Sequence, residues 1–195
     1  MKNFGKMWVV LVVILVVILL FGLGIFRWYI GNYNRPVALE EITRDAWSNV
    51  DTTLQRRLDL IPNLVQTVKG YAEHEKELFE NIAKSREKYF QANSVAGKIQ
   101  ASNELTGFLS RLLVLQERYP DLKANQNFLS LQDQLEGTEN RINVARTRYN
   151  EAVRQLNTYA RSFFGSYFCR KRGVEQAEYF EASEQAKTEV PKVEF

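Results

Sequence analysis

Residues 128–163 read FLSLQDQLEGTENRINVARTRYNEAVRQLNTYARSF. Along this stretch a mostly apolar residue recurs in alternating steps of three and four, which is the spacing of a heptad seam. The seam positions are Phe128, Leu131, Leu135, Thr138, Ile142, Ala145, Tyr149, Ala152, Leu156, Tyr159 and Phe163. A β-strand turns successive side chains to opposite faces and cannot use this spacing. The stretch therefore predicts a long amphipathic helix that packs against other helices.

Apolar residues recur with the same spacing across residues 54–89. The register passes Pro62 without a slip, so we expect one long helix that is kinked at this proline. Proline removes a helical hydrogen bond and clashes with the carbonyl four residues earlier, here that of Leu58, at ~3 kcal/mol. Asp59 and Asn63 lie beside the expected kink and are the candidates to satisfy the freed backbone groups.

Polar side chains stand in or beside both seams. Glu75 and Arg86 occupy seam positions, and because a buried charge needs a partner, we expect each to pair with a residue of another helix. Asn143, Asn150 and Asn157 recur every seven residues, one position past the seam of the last long helix. Three interpretations remain open for this repeat: a polar layer that sets helix register, a face for self-association or for docking another membrane protein, or a catalytic site.

The connections between the long helices are short. Residues 92–97 form a polar loop, and a shorter helix is expected over residues 100–118. Pro120 is expected to close that helix, Asp121 to cap a turn and Asn125 to cap the next helix. Short connections between long amphipathic helices predict an all-α fold, an antiparallel bundle of the four-helix type.

Near the N-terminus, residues 7–26 form an apolar run without a charged residue. About 20 such residues suffice for a helix that crosses a bilayer. Trp8 at one end, and Trp28 and Tyr29 at the other, are placed like an interfacial aromatic belt. A cleaved signal peptide is the alternative, but the run is longer than its usual apolar core and no small-residue cleavage site follows. We therefore expect an uncleaved, single-pass membrane anchor.

The orientation of the anchor rests on flanking charges. Lys2 and Lys6 precede the apolar run, whereas Arg27, Arg35 and Arg44 follow it, so the positive-inside count is divided. A short basic leader before an uncleaved span favours a cytoplasmic N-terminus. We expect a bacterial cell-membrane protein whose main domain lies outside the cytoplasm.

The chain divides into four segments on this interpretation. Residues 1–30 are the anchor, 31–37 a polar hinge, 38–180 the helical bundle and 181–195 an acidic tail that is expected to be disordered. Within the bundle segment, residues 174–180 are expected to add one or two helical turns.

No catalytic or metal-binding pattern is present in the sequence. The net charge is +3 and the basic residues form no long run, which argues against nucleic-acid binding. His74 is the only histidine, and Leu78 stands where a zinc-protease motif needs a second one. Cys169 is the only cysteine, so no internal disulfide can form. We expect no enzyme, no cofactor and no metal.

Several ordered motifs together carry a family resemblance. RRLDLIPNLV at residues 56–65, VKGYAEHE at 68–75, YPDLKAN at 119–125 and ENRINVARTRYN at 139–150 resemble the signature of the bacterial LemA family. The resemblance implies a membrane-anchored antiparallel four-helix bundle and no established activity. The family also includes a protein that is associated with magnetosome membranes, and this association implies a role in membrane organisation and not in catalysis.

The chain departs from the family pattern after the last long helix. The family often has an apolar, proline-containing stretch there, whereas residues 163–165 are Phe-Phe-Gly and residues 170–172 are Arg-Lys-Arg. The C-terminal contacts are thus the part of the fold that the resemblance predicts least.

The candidate structural or interface residues follow from the seams, the turns and the family motifs. They are Arg56, Arg57, Asp59, Pro62, Asn63, Glu75, Arg86, Tyr119, Pro120, Asp121, Asn125, Glu139, Asn140, Asn143, Arg146, Tyr149, Asn150 and Asn157. The anchor candidates are Trp8, Phe26, Arg27, Trp28 and Tyr29.

Two non-enzymatic functions are compatible with these features, and an enzyme whose site no motif reveals is a third, less favoured interpretation. The first is a scaffold that forms a homo-oligomer in the lipid bilayer and organises membrane or membrane-protein partners. The alternative is an accessory subunit of a membrane enzyme or transporter that is monomeric by itself.

Overall fold

The structure, a computed structural model, describes residues 2–181. Six α-helices occur in this part of the chain, and it contains no strand: α1 Lys2–Lys69, α2 Lys76–Gln91, α3 Val95–Val114, α4 Pro120–Lys123, α5 Gln126–Arg161 and α6 Phe163–Arg172. The predicted all-α fold is confirmed. All of the expected acidic tail except Glu181 lies outside the described residues.

Helix α1 is continuous over 68 residues. It runs through Pro62, as predicted, and also through Pro36. The expected polar hinge at residues 31–37 is therefore wrong, because these residues are helical. The carbonyl that Pro36 deprives of its helical partner accepts a hydrogen bond from another helix, which explains why the proline does not interrupt α1.

The single helix expected over residues 54–89 is wrong. Helix α1 ends at Lys69 and α2 begins at Lys76, with a turn between them in which the backbone N–H groups of Tyr71 and Ala72 both donate to the Val68 carbonyl. Apolar residues on both sides of the turn contact the same core, so the apolar spacing continues although the helix does not.

The chain forms two compact units. Within the described residues, one comprises residues 2–42 and 154–176, and the other comprises residues 43–153 and 177–181. In the first unit, every side chain from residue 11 to residue 30 is exposed. Among the described residues, α1 is the one helix that is long and apolar enough to cross a membrane. Its apolar part includes the anchor predicted from the sequence.

The second unit has the core of an antiparallel bundle. Trp47 of α1 packs against Tyr149 of α5, and ten residues further along α1, Arg57 pairs with Glu139 of α5. In these contacts the residue numbers fall along α5 as they rise along α1, so the two helices are antiparallel. Helix α2 bears the same reversed relation to α1. The predicted helical bundle is confirmed.

The turn before α5 uses a proline and an asparagine. Helix α3 ends at Val114 and a short 3₁₀ turn follows, so Pro120 does not close a helix but begins the short helix α4. This is a favourable position for proline, because the first helical residues have no intrahelical partner for their N–H. The Asn125 side chain accepts a hydrogen bond from the Phe128 N–H at 3.0 Å. The predicted cap of α5 is thereby confirmed.

Most of the predicted seam of α5 is buried. The buried positions are Phe128, Leu135, Thr138, Ile142, Ala145, Tyr149, Ala152 and Leu156. Phe163 is an exception, because α5 ends at Arg161 and Phe163 is 85% exposed at the start of α6. Residues 174–180 form no helix, which contradicts the expected extra turns.

Candidate functional site

Arg57 lies at the centre of a polar contact among three helices of the second unit. It is 3% exposed, and its guanidinium donates hydrogen bonds to Glu139 Oε2 of α5 and to Ser102 Oγ of α3, each at 2.8 Å. Burial lowers the pKa of Arg57, while the Glu139 carboxylate opposes this shift. Arg57 and Glu139, both predicted from the sequence, are therefore brought together as a structural ion pair.

A second polar cluster contains Asp51, Tyr89 and Lys98. The Asp51 carboxylate accepts hydrogen bonds from the Tyr89 hydroxyl at 2.6 Å and from Lys98 Nζ at 2.7 Å. Burial opposes ionisation of Asp51, but the hydrogen bonds from Lys98 and Tyr89, the charge of Lys98 and a further hydrogen bond from Gln55 together lower the pKa of its carboxyl. This cluster was not predicted from the sequence; the available signal was a carboxylate directly after the buried Val50.

Arg86 satisfies the backbone carbonyl that Pro62 leaves without a partner. Its Nε donates to the Leu58 carbonyl at 3.3 Å, and its guanidinium lies over the Phe90 ring. The predicted partner of Arg86 is thus a backbone group of α1. The expectation that Asp59 or Asn63 would serve this carbonyl is wrong, because both residues are exposed.

A similar contact serves Pro36 in the first unit. The Tyr159 hydroxyl of α5 donates to the Asn32 carbonyl at 3.0 Å. Asn32 stands four residues before Pro36, so its carbonyl is the one that the proline frees. The Arg35 guanidinium covers the Tyr159 ring at 5.2 Å.

Glu75 has the expected partner on another element but is not buried. Its Oε1 lies 3.2 Å from Arg118 Nη1, and the two side chains are 26% and 69% exposed. The turn between α1 and α2 takes Glu75 out of the apolar seam, so the expectation of a buried pair is wrong. An exposed pair of this kind contributes roughly 0–1 kcal/mol.

The three repeated asparagines occupy three different environments. Asn143 is exposed and Asn157 is 4% exposed. The Asn150 side chain accepts from the Phe180 N–H at 2.8 Å and donates to the Phe180 carbonyl at 3.1 Å. The three asparagines thus differ in exposure, and Asn150 makes a specific pair of contacts with the backbone of Phe180.

Asn150 belongs to a site that holds the C-terminal segment in the second unit. Phe180 is 2% exposed, and the Arg146 guanidinium lies 4.5 Å from the centre of its ring. The Tyr149 hydroxyl donates to the Glu178 carbonyl at 2.8 Å. Burial, followed by the charge of Glu178, raises the pKa of Tyr149 to about 12. Arg146, Tyr149 and Asn150 were predicted, but their common target was not.

The other predicted residues lie at the surface or in turns. Those that are exposed are Arg56, Asp59, Pro62, Asn63, Pro120, Asp121, Asn140 and Asn143. Tyr119 is half-buried before α4, and Asn125 donates to the Tyr71 hydroxyl at 2.9 Å. Trp8, Phe26 and Arg27 are exposed along α1.

An aromatic and basic cluster lies where the apolar part of α1 ends. Trp28 meets Phe164 of α6 at 5.1 Å between ring centres, and Tyr29 meets Phe168 at 5.5 Å. Lys171 Nζ donates to the Tyr29 hydroxyl at 2.9 Å, which raises the pKa of Lys171. Trp28 and Tyr29 were predicted from the sequence as anchor residues, but the packing of α6 on them was not predicted.

A cavity of about 680 Å³ adjoins this cluster in the first unit. Its lining includes Trp28, Asn32, Arg35, Tyr159 and Phe164. In the part of the chain that the structure describes, no group of His, Cys, Asp and Glu residues is arranged to hold a metal ion.

Comparison with known proteins gives the same family as the motifs. The model of the LemA family matches residues 46–195. Magnetosome protein MamQ 2 of Paramagnetospirillum magneticum is 25% identical over 176 residues, which cover 77% of this chain and 65% of the relative. Protein LemA of Metamycoplasma hominis is 22% identical over 170 residues, which cover 86% of this chain and 78% of the relative.

A further relative is magnetosome protein MamQ of Magnetospirillum gryphiswaldense, which is 23% identical over 175 residues. That alignment covers 76% of this chain and 64% of the relative. The chain thus spans slightly less than two thirds of the length of these magnetosome relatives. None of the names describes a catalytic activity.

Proposed function

This chain belongs to the LemA family of membrane-associated helical proteins, and we propose that it is a non-enzymatic, membrane-anchored scaffold that associates with itself. In this function, several copies in one bilayer organise lipid or membrane-protein partners. Two relatives named as magnetosome proteins support a role in membrane organisation, and their names support the absence of an enzymatic activity.

One observation carries the proposal: polar side chains that lie between the helices of the bundle are engaged in structural contacts. Arg57 joins three helices, Asp51 accepts from two helices, and Asn150 holds the C-terminal segment. A residue that acts as a general acid or base needs a side chain that is held in position but remains free to accept or donate a proton. These side chains instead stabilise the bundle, which leaves its outer faces for contacts between molecules.

The anchor favours lateral association of weakly interacting copies. Molecules confined to one bilayer have a raised effective concentration, so small contacts suffice to hold them together. A common orientation also permits head-to-tail contacts that close into a ring or extend as an array. Exposed residues along α5, among them Asn140, Asn143 and Val144, offer one face for such contacts.

The test is the mass of the purified full-length protein in mild detergent with native lipid retained. We expect mass photometry to give species larger than a monomer, whose fraction falls on dilution. A sharp monomer peak at several protein concentrations would contradict self-association. That result would favour the accessory-subunit function, in which a partner membrane protein takes the place of a second copy.

We further propose that the bacterial cell membrane holds this protein with its main domain outside the cytoplasm. The short basic leader before the apolar run supports this orientation. The measurement is labelling of a Val114→Cys variant in intact cells with a membrane-impermeant maleimide, since Val114 is 60% exposed. Labelling only after the cells are permeabilised would place the domain in the cytoplasm and overturn the orientation.

A further inference from the structure

The outward face of α6 combines aromatic and basic side chains. Phe163, Phe164 and Tyr167 are 85%, 54% and 51% exposed, respectively. At 100° per residue, Arg170 and Lys171 return to the same side of the helix as these aromatic residues. Helix α6 contains no acidic residue. Exposed aromatic rings beside basic residues are the composition of helices that lie in a membrane interface.

Contacts with α1 fix how α6 lies along that helix in the first unit. Phe164 contacts Trp28 at 5.1 Å, and the Arg172 guanidinium lies over the Tyr33 ring at 4.8 Å. The residue numbers of these contacting pairs rise together along both helices, so α6 runs in the same direction as α1, away from the anchor. The start of α6, with Phe163, is therefore its membrane-proximal end.

A tight turn delivers the aromatic residues to this end. The Ser162 hydroxyl accepts from the Gly165 N–H at 3.1 Å and caps α6. A Cβ at position 165 would overlap the Tyr159 carbonyl at the end of α5, so only glycine fits there. Helix α5 approaches the anchor and passes Asn32, which Tyr159 contacts. The chain reverses at this turn and continues along α1 as α6, with the exposed Phe163 at the tip of the turn.

We infer that α6 is a second membrane contact: Phe163 and Phe164 insert into the leaflet that contains Trp28, and Arg170, Lys171 and Arg172 bind the phosphate groups of anionic phospholipids. The bilayer is the occupant because α6 packs on the last residues of the apolar part of α1, where that part leaves the membrane. The basic end lies one to two turns farther from the anchor than the aromatic end. In a leaflet the phosphate headgroups likewise lie farther from the bilayer centre than the boundary of the acyl chains, so the basic end matches the headgroups and the aromatic end matches the acyl boundary.

This inference does not depend on self-association, because it concerns a single copy and its lipid. It is therefore tested in nanodiscs that hold one copy of the full chain each. A monomeric protein would contradict the proposed scaffold without affecting the membrane contact of α6.

The first experiment measures the depth of residue 163. A nitroxide label is placed at Phe163→Cys in a Cys169→Ala background, and its accessibility to oxygen and to a water-soluble nickel complex is recorded. Leu20→Cys in the anchor and Ile42→Cys are reference positions; both native residues are exposed in the structure. Ile42 lies about 21 Å along α1 from Trp28. We expect oxygen accessibility to exceed nickel accessibility at 163, as at Leu20, and the reverse at Ile42.

Two results would overturn the lipid contact. Nickel accessibility at 163 equal to that at Ile42 would place Phe163 in water, and low accessibility to both reagents would indicate a protein partner instead. Cys169 is 3% exposed. The same labelling in the unaltered background therefore gives a second measurement should the alanine variant fail to fold.

The second experiment addresses the headgroups, using spin-labelled phosphatidylglycerol and phosphatidylcholine in the same nanodiscs. The test variant carries Arg170→Gln, Lys171→Gln and Arg172→Gln. The matched control carries Arg56→Gln, Lys84→Gln and Arg111→Gln, which removes three exposed charges elsewhere. We expect the ratio of the association constants of the two lipids to fall towards one in the test variant alone. An equal ratio in parent and test variant would overturn the headgroup assignment.

Discussion

Pro36 and Pro62 each remove one hydrogen bond from α1, and a side chain of another helix replaces each lost donor. Tyr159 donates to the Asn32 carbonyl in the first unit, and Arg86 donates to the Leu58 carbonyl in the second. A buried carbonyl without a donor costs about 1–3 kcal/mol. At the scale of single residues, these two side chains therefore help α1 to remain helical at positions where proline by itself disfavours a helix.

We predict that the contribution of Arg86 depends on Pro62. Arg86→Met keeps most of the apolar stem but removes the donor, so it should lower the free energy of unfolding by about 1–3 kcal/mol. In a Pro62→Ala background, the backbone N–H that the substitution introduces restores the helical bond to the Leu58 carbonyl, and the same change at Arg86 should have a much smaller effect. Denaturant titration followed by circular dichroism measures the four proteins of this cycle.

Arg56→Met is the control for loss of a charge, because Arg56 is exposed on α1. It should have little effect in either background. An equal loss of stability from Arg86→Met with and without Pro62 would show that Arg86 acts through other contacts, such as its position over Phe90.

Asp51 makes stability depend on pH in the acidic range. Its pKa is lower in the folded chain than the usual value near ~4, so the unfolded chain binds more protons in that range. The contribution of Asp51 is therefore fully present above pH ~4 and is lost as the pH falls through the lowered pKa.

We predict that Asp51→Asn lowers the free energy of unfolding by about 1–3 kcal/mol at neutral pH, because its charged hydrogen bonds are weakened. The difference from the parent should shrink as the pH falls below ~4. Asp59→Asn, at an exposed position of the same helix, controls for the loss of one negative charge. A difference for Asp51→Asn that stays constant down to the acid transition would refute this assignment.

At the scale of elements, the C-terminal segment depends on α5 for its position in the second unit. Residues 174–181 form no helix, yet Phe180 is buried and both of its backbone polar groups bond to one asparagine side chain. Such a segment has few local interactions of its own, so its order derives from this docking.

We predict that Asn150→Ala releases this segment without unfolding the bundle. The amide groups near Phe180 should exchange hydrogen faster, and cleavage after Glu178 by a glutamate-specific protease should accelerate. Asn143→Ala is the matched control, because Asn143 lies seven residues earlier on α5 and is exposed. Unchanged exchange in Asn150→Ala would mean that Phe180 is held by its ring contacts alone.

The break between α1 and α2 illustrates a limit of apolar spacing. The spacing indicates which side of a helix faces the core, and residues before and after the turn face the same core. A turn that preserves this spacing leaves no gap in the pattern. Gly70 at the start of the turn was the available local signal, since glycine is common directly after a helix.

At the scale of the whole molecule, we predict that removing residues 1–30 abolishes integral membrane attachment. Helix α1 is the one described helix with the length and hydropathy of a membrane span. The shortened chain should appear in the supernatant after an alkaline carbonate wash, whereas the full chain stays in the pellet. Retention of the shortened chain in the pellet would reveal a second integral element, because a surface contact such as that of α6 does not resist this treatment.

The amino-acid sequence was sufficient to predict the apolar N-terminal helix, the all-α class, the long helix α5 with its cap at Asn125, and the continuity of α1 through Pro62. These features follow from local chemistry: the period of apolar residues, the length of an uncharged run and the hydrogen-bonding capacity of one side chain. The packed arrangement of the helices was needed to show that Arg86 donates to the Leu58 carbonyl, that Asn150 holds Phe180 and that α6 packs on Trp28 and Tyr29. Side chains that are distant in sequence come into contact only when their helices pack together. Which residues then face each other depends on the packing of the whole core.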